Sequence, residues 1–159
     1  MKGEPLFDSG SIAARVAQIG SAISADYSGK LPILVGLLTA AAPFLSDLIR
    51  AVTVPCQMDV IAVSRYGDGQ SVVLEKDLAI PIERRHVILV DDTVDTGMTL
   101  HSVVKTLLAR GPASLAVCAL LDRPHRRIAD IEIKYMGFEA PDVFVVGYGL
   151  DYLGRYREL

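Results

Sequence analysis

Several classes of protein are excluded by what this chain has little of. Only two of its 159 residues are cysteines. Cys56 and Cys118 each sit inside an apolar stretch, in no CxxC or Cys/His spacing. That argues against a disulfide framework and a zinc site, and the expectation is two buried thiols in a reducing compartment. Charge of one sign is also scarce: 16 basic against 19 acidic residues give a net charge of −3. The basic residues form no stripe or aromatic-studded patch, so nucleic acid is not an expected partner, although a local anion site remains open. No apolar run approaches the ~18 residues of a membrane span. Met1-Lys2-Gly3 leads into no signal-like apolar core. A cytoplasmic location without a membrane partner is therefore expected. Internal repeats and low-complexity tracts are missing too.

What is present is a globular composition, 51% apolar and 22% charged, at a length suited to one domain spanning 1–159. Its focus is the stretch from His86 to Leu100. Val87-Ile88-Leu89-Val90 is an unbroken apolar run, the pattern of a strand covered on both faces in a parallel sheet. The run ends in Asp91 and Asp92, with Asp95 three residues on, and Thr96-Gly97-Met98-Thr99 opens a helix whose inner face carries Val103, Val104, Leu107 and Leu108. Backbone N–H groups at a helix start, with threonine hydroxyls beside them, suit a phosphate monoester. Paired acids suit vicinal hydroxyls or a hydrated cation, and a third acid is free to take a proton. The implied ligand is a sugar phosphate at the carboxyl end of a strand. An acidic turn before an ordinary capped helix would need only one of these residues.

The rest of the chain alternates strand and helix. A first helix carries Ile12, Val16, Ile19 and Ile23 on one face, with Asp8, Ser9 or Ser11 as its cap, and closes near Tyr27 at Ser28-Gly29. A strand over 33–37 and a helix from Ala42 to Val52 follow, with Pro43 in the first turn. Met58 to Val63 is the next strand, 64–71 a mobile turn, and Val72 to Glu75 its return. After the focal helix, closed by Gly111-Pro112, come a strand over 115–121, a basic turn at His125-Arg126-Arg127 and a strand through Ile131, Ile133 and Tyr135. A turn from Phe138 to Asp142 and a last buried strand over 143–146 end the series. This rhythm predicts an α/β fold with a mainly parallel, doubly wound sheet and right-handed crossovers.

The stretch of strand, two acids, two spacers and Asp-Thr-Gly-x-Thr resembles the phosphoribosyl pyrophosphate (PRPP) signature of the type I phosphoribosyltransferases. The resemblance runs from Ile12 to Leu159 and is to the hypoxanthine-guanine phosphoribosyltransferases. It is carried also by Val35-Gly36-Leu37-Leu38, Asp47-Leu48-Ile49-Arg50-Ala51, Tyr66-Gly67-Asp68-Gly69, Ala109-Arg110-Gly111-Pro112, Gly137-Phe138-Glu139 with Pro141-Asp142, and the run from Phe144 to Tyr152. It implies a Rossmann-like fold with a small hood built from the termini. It also implies that Asp91, Asp92, Thr93, Val94, Asp95, Thr96, Gly97, Met98 and Thr99 bind PRPP, with Asp95 the catalytic acceptor of the purine proton. Thr39, Ala40 and Arg157 would bind pyrophosphate, and Arg123, Phe144 and Val145 the purine. Ser64, Arg65 and Tyr66 would belong to a lid. Mg²⁺ would be held by Asp151 with Asp91 and Asp92.

The implied substrates are PRPP and a 6-oxopurine, and the implied state is a dimer or tetramer, with the helix from Ala42 to Val52 as a contact surface. Five positions depart from the family. Thr39-Ala40 stands where Lys-Gly is usual, Arg65 where serine is, Arg123 where lysine is and Asp91 where glutamate is. The mobile loop is also shorter. A weakly catalytic PRPP or nucleotide sensor acting through a partner, and an enzyme for another base such as xanthine, remain the alternatives.

Overall fold

A computed structural model describes residues 5–66 and 71–159, with the side chains of Arg65, Tyr66 and Ser71 outside that description. The elements are α1 (Ser9–Asp26), β1 (Ile33–Leu38), α2 (Ala42–Ala51), β2 (Gln57–Tyr66), β3 (Ser71–Lys76), β4 (His86–Val94), α3 (Met98–Leu108), β5 (Ser114–Asp122) and β6 (Tyr135–Glu139). They form one six-stranded sheet in the order β3-β2-β1-β4-β5-β6. Every pairing is parallel except β2 with β3. The doubly wound, mainly parallel α/β architecture is thus present. Among the described residues no helix is long and apolar enough to cross a membrane.

The unbroken apolar runs are explained by which face each residue serves. Leu34, Ile88, Val90, Cys118 and Leu120 meet Val16, Ile19, Ile23, Phe44 and Leu48 of α1 and α2 on one face. Val35, Val87, Leu89 and Val117 meet Leu100, Val103 and Leu107 of α3 on the other. Each such side chain contributes roughly 1.5–3 kcal/mol when fully buried. A one-residue slip would exchange the two cores, so the register Ile33↔Val87 to Gly36↔Val90 is tightly specified. Asp8 caps α1, its Oδ1 accepting from Ser11 N at 2.7 Å. Buried Asp59 is satisfied by the N–H groups of Val60, Ala79 and Ile80 at 2.7–2.8 Å. That fastens the connector which brings Ile82 into the α3-side core.

Three expectations fail. The strand expected at Ile131, Ile133 and Tyr135 begins only at Tyr135 and runs through the expected turn to Glu139. Ile131 and Ile133 alternate because they pack as coil against the α3-side core. Residues 143–146 form no strand and are largely exposed. Of the mobile turn expected over 64–71, residues 64–66 and 71 belong to strands, since β2 continues through Tyr66 and pairs Ser64, Arg65 and Tyr66 with Val73, Val72 and Ser71. The Gly67-Asp68-Gly69 part of that expectation lies outside the described residues.

Candidate active site

The tip of β4 supplies the first acids. Asp91 is buried at 6% exposure, and its Oδ1 accepts from Asp92 N at 3.0 Å. Burial, and after it the charge of Asp92, push the Asp91 carboxyl well above its ordinary value. Burial also raises Asp92, opposed by hydrogen bonds and by the positive charge of Arg157. Two carboxyls this close and this dry favour a shared proton or an external cation or hydroxyl donor.

Beyond them the chain makes a phosphate-sized cradle. Gly97 precedes α3 at φ +79°, in the left-handed region. A Cβ there would sit 3.1 Å from atoms of Arg127 and Ile131, so glycine fits for space as well as for angle. Thr96 Oγ1 lies 3.4 Å from the Met98 amide, and the Thr96 carbonyl accepts from Ile128 N and Ala129 N at 2.9 and 3.0 Å. The 127–131 segment therefore props the cradle from behind. A cleft of about 180 Å³ lies here, lined by Asp91, Thr93, Asp95, Thr96, Gly97 and Thr99 against Leu37 and Leu100. Backbone amides at an α-helix start and threonine hydroxyls favour an anion in such a space.

Next to the cleft stands the end of β5. Arg123 N donates to Val94 O at 3.0 Å, fixing the two strand tips together. Its side chain is only 12% exposed, so it is not a solvated turn arginine. One terminal nitrogen lies 3.6 Å from Asp95 Oδ1, while the other donates to Asp142 Oδ1 at 2.9 Å and Val143 O at 3.2 Å. The basic turn is a short 3-10 segment, Pro124–Arg126. Arg127 pairs with Asp122 and donates to Ile131 O. Arg126 and Asp142 were not among the residues expected at a site, yet Arg126 Nε lies 2.6 Å from Asp95 Oδ1. The signal available was the charge density at 122–127 beside a strand end.

Phe144 does not occupy a buried strand. It is 71% exposed and touches Tyr152 edge-on, with ring centroids 5.7 Å apart. Val145 faces inward, packed against the α1/α2-side core. The neighbouring end of β6 is held by the Arg15 guanidinium, which donates to the Met136 and Gly137 carbonyls. An open aromatic face beside Arg123 is thus offered to solvent, where a flat ring can stack on it.

On the opposite flank, Thr39 and Ala40 follow β1 after a cis Leu38–Thr39 bond. Gly149, at φ +102°, packs against this turn so closely that a Cβ would fall 2.0 Å from Ala40 O. Tyr148 OH donates to Asp47 of α2 at 2.7 Å, Tyr148 N to Leu159 O at 2.7 Å and Gly149 N to Arg157 O at 3.0 Å. These bonds anchor Arg157, whose guanidinium donates to Gly149 O and pairs with Asp151 at 2.8 Å. Asp151 also accepts from Gly154 N. Among the described residues no three His, Cys, Asp or Glu side chains gather as a metal-binding group. Asp91, Asp92 and Asp151 are therefore hard oxygen donors that would share a cation with a ligand rather than enclose it. Of the expected lid only Ser64 has a described side chain, and it lies in β2 opposite Val73.

Known proteins agree with this geometry. The family model of the phosphoribosyl transferase domain matches residues 3–153. The hypoxanthine phosphoribosyltransferase of Salmonella typhimurium is 44% identical over 162 residues, covering 98% of this chain and 91% of that protein. The hypoxanthine-guanine phosphoribosyltransferase of Mycobacterium tuberculosis is 44% identical over 158 residues, covering 93% and 78%. Among solved structures, a hypoxanthine-guanine phosphoribosyltransferase from Bacillus anthracis, with HEPES in its active site, superposes with a TM-score of 0.97 at 33% identity, covering 100% of this chain and 96% of that one. A hypoxanthine phosphoribosyltransferase from Staphylococcus aureus gives 0.95 at 41% identity, covering 98% and 87%. With sequence and fold in agreement over nearly its whole length, the chain belongs to the phosphoribosyl transferase family.

Proposed function

We propose that this chain is a purine-salvage enzyme that transfers the 5-phosphoribosyl group of PRPP to hypoxanthine or guanine, releasing pyrophosphate. The observation that carries this reading is the cleft at the tip of β4, where the Thr96–Thr99 cradle, Asp91 and Asp95 face one space. Arg123 joins that space to the exposed ring of Phe144. The 5-phosphate sits on the amides and hydroxyls of 96–99. Asp91 and Asp92 take the ribose hydroxyls, which supply the hydrogen bonds that buried carboxyls want. The purine lies on Phe144, with Arg123 donating to its 6-oxo group and the Val145 backbone at its edge. Thr39, Ala40 and Arg157 meet the pyrophosphate.

Departure of pyrophosphate leaves the anomeric carbon strongly cationic, so the protein acts through placement and charge rather than covalent chemistry. Asp95 accepts the proton of the attacking purine nitrogen, a contribution of roughly 10²–10⁴-fold for a typical general base. Asp151, with Asp91 and Asp92, would hold Mg²⁺, a cation usually bound by one or two carboxylates together with substrate phosphates and water. When bound, the ion offsets the negative charge of the leaving group. The residues of the whole chain act as one catalytic domain.

The test is pyrophosphate release from PRPP with Mg²⁺, run against hypoxanthine, guanine, xanthine, adenine and no base. Turnover with the first two supports the proposal. Turnover with xanthine alone, or PRPP binding without release, refutes it.

A further inference from the structure

Asp95 is the residue that must point one oxygen at the reacting purine nitrogen, yet it stands on an irregular link between β4 and α3. No hydrogen bond satisfies its Oδ1, which is out of contact with solvent and held only by ion pairs, 2.6 Å from Arg126 Nε and 3.6 Å from an Arg123 terminal nitrogen. The side chain as a whole keeps 41% of its exposure, which leaves the second oxygen and the methylene as the part open to the cleft. One oxygen is sealed against two arginines and the other is presented.

The arginines are themselves tied. Asp142 Oδ1 draws Arg123 to 2.9 Å, His125 to 3.5 Å and Arg126 to 3.7 Å. Asp142 lies two residues before Phe144, so the carboxylate that gathers these basic side chains belongs to the same segment as the aromatic ring. A chain of contacts therefore runs from the base platform through Asp142 and Arg126 to the proton acceptor. The ion pairs of Arg126 go to Asp95 and Asp142, and its own side chain is 45% exposed, so burial gives no reason for it.

We infer that Arg126, steadied by Asp142, is a positioning residue that aims the Asp95 carboxylate at the purine. The inference rests on the reading of Asp95 as proton acceptor. A small misplacement of a reacting group can cost up to ~10²-fold. Arg126→Ala should therefore lower kcat on the order of 10- to 100-fold, while the KM for PRPP stays within about twofold because the cradle is untouched. Arg126→Lys keeps a cation within reach and should recover part of the loss, although a single ammonium reproduces a guanidinium imperfectly.

The deciding experiment is a double-mutant cycle with Asp95→Asn, read as kcat. Once Asp95 has lost its function, adding Arg126→Ala should cost nothing further. An equal loss in both backgrounds would mean general structural damage and overturn the inference. So would full or raised kcat in Arg126→Ala alone, which would show that the ion pair is idle or obstructive. Should Asp95→Asn itself keep full turnover, the proton-acceptor reading falls first and takes this one with it, an outcome distinguishable because Arg126 plays no part in it. All four proteins are compared at equal melting temperature offset from the assay, and the exposed site of Arg126 makes loss of folding an unexpected result.

Discussion

Replacing Gly149 by alanine puts the join between the two flanks of the site under load. At φ +102° an alanine is strained wherever it stands, and the added Cβ would lie 2.0 Å from the Ala40 carbonyl oxygen and 3.0 Å from Pro43 Cδ. The first effect is worth about 1–2 kcal/mol. The second is an overpacking against backbone, typically another 1–3 kcal/mol. Gly154 separates the two, because it has φ +76° and nothing within 4 Å of an added Cβ. Gly154→Ala should cost about 1 kcal/mol, or about 2–4 °C in Tm for a chain of this size. Gly149→Ala should cost about 3 kcal/mol, on the order of 6–12 °C. Because the displaced carbonyl belongs to the turn assigned to pyrophosphate, Gly149→Ala should also raise the KM for PRPP while leaving the KM for the base nearly unchanged. Differential scanning calorimetry with steady-state kinetics makes the comparison. If Gly149→Ala melts no lower than Gly154→Ala, the close approach of these two segments is not a feature of the folded protein and the reasoning fails.

Three further outcomes are expected. Asp95→Asn keeps shape and removes the proton acceptor, so kcat should fall roughly 10²–10⁴-fold with little change in the KM for PRPP; unaltered turnover with hypoxanthine would refute the assignment. Phe144→Ala removes an exposed ring, so Tm should hold while the KM for the base rises, stacking of this kind being worth about 1–3 kcal/mol, or roughly 5- to 150-fold; a loss of stability without a change in that KM would contradict the stacking role. Asp91→Asn should stabilise the protein while weakening its activity. The Asp91 carboxyl is raised in the folded state by burial and by Asp92, so the folded chain binds a proton that the unfolded chain releases near pH ~3.9. Ionisation thus opposes folding, and stability falls as pH rises from that value through the folded one. The Tm advantage of Asp91→Asn should be absent at low pH and grow toward neutrality, and an advantage that shrinks with pH would reverse the argument.

The sequence made β4 and the entry to α3 readable, because burial on both faces demands an unbroken apolar run, although the strand expected to leave the sheet at Asp91 and Asp92 carries them within it and runs on to Val94. The helix at Pro43 was local and equally plain, and of the three caps open for the first helix, Asp8, Ser9 and Ser11, the structure uses Asp8. The failures have physical causes. The turn expected from Phe138 to Asp142 starts inside β6, where a Cβ on Gly137 would come within 2.2 Å of the Leu120 carbonyl; close backbone approach asks for glycine there. Val143 to Val146 is as apolar as a core strand, but only Val145 turns inward. An apolar run reserved for a ligand has the same pattern as one reserved for packing. The ion pairs of Arg126 were not legible because its partners, Asp95 and Asp142, lie in two other connecting segments that only the fold brings together.

The parallel pairing of β1, β4 and β5 has a consequence for what such a protein will accept. Adjacent strands stand ~4.8 Å apart, and their tips bear, in order across the sheet, Thr39, Asp91 with Asp92, and Arg123. A molecule laid over them is gauged against a ruler whose gradations are main-chain hydrogen bonds, which no rotamer change can stretch. On the function proposed above, a substitution at one mark should retune the grip there without shifting the others.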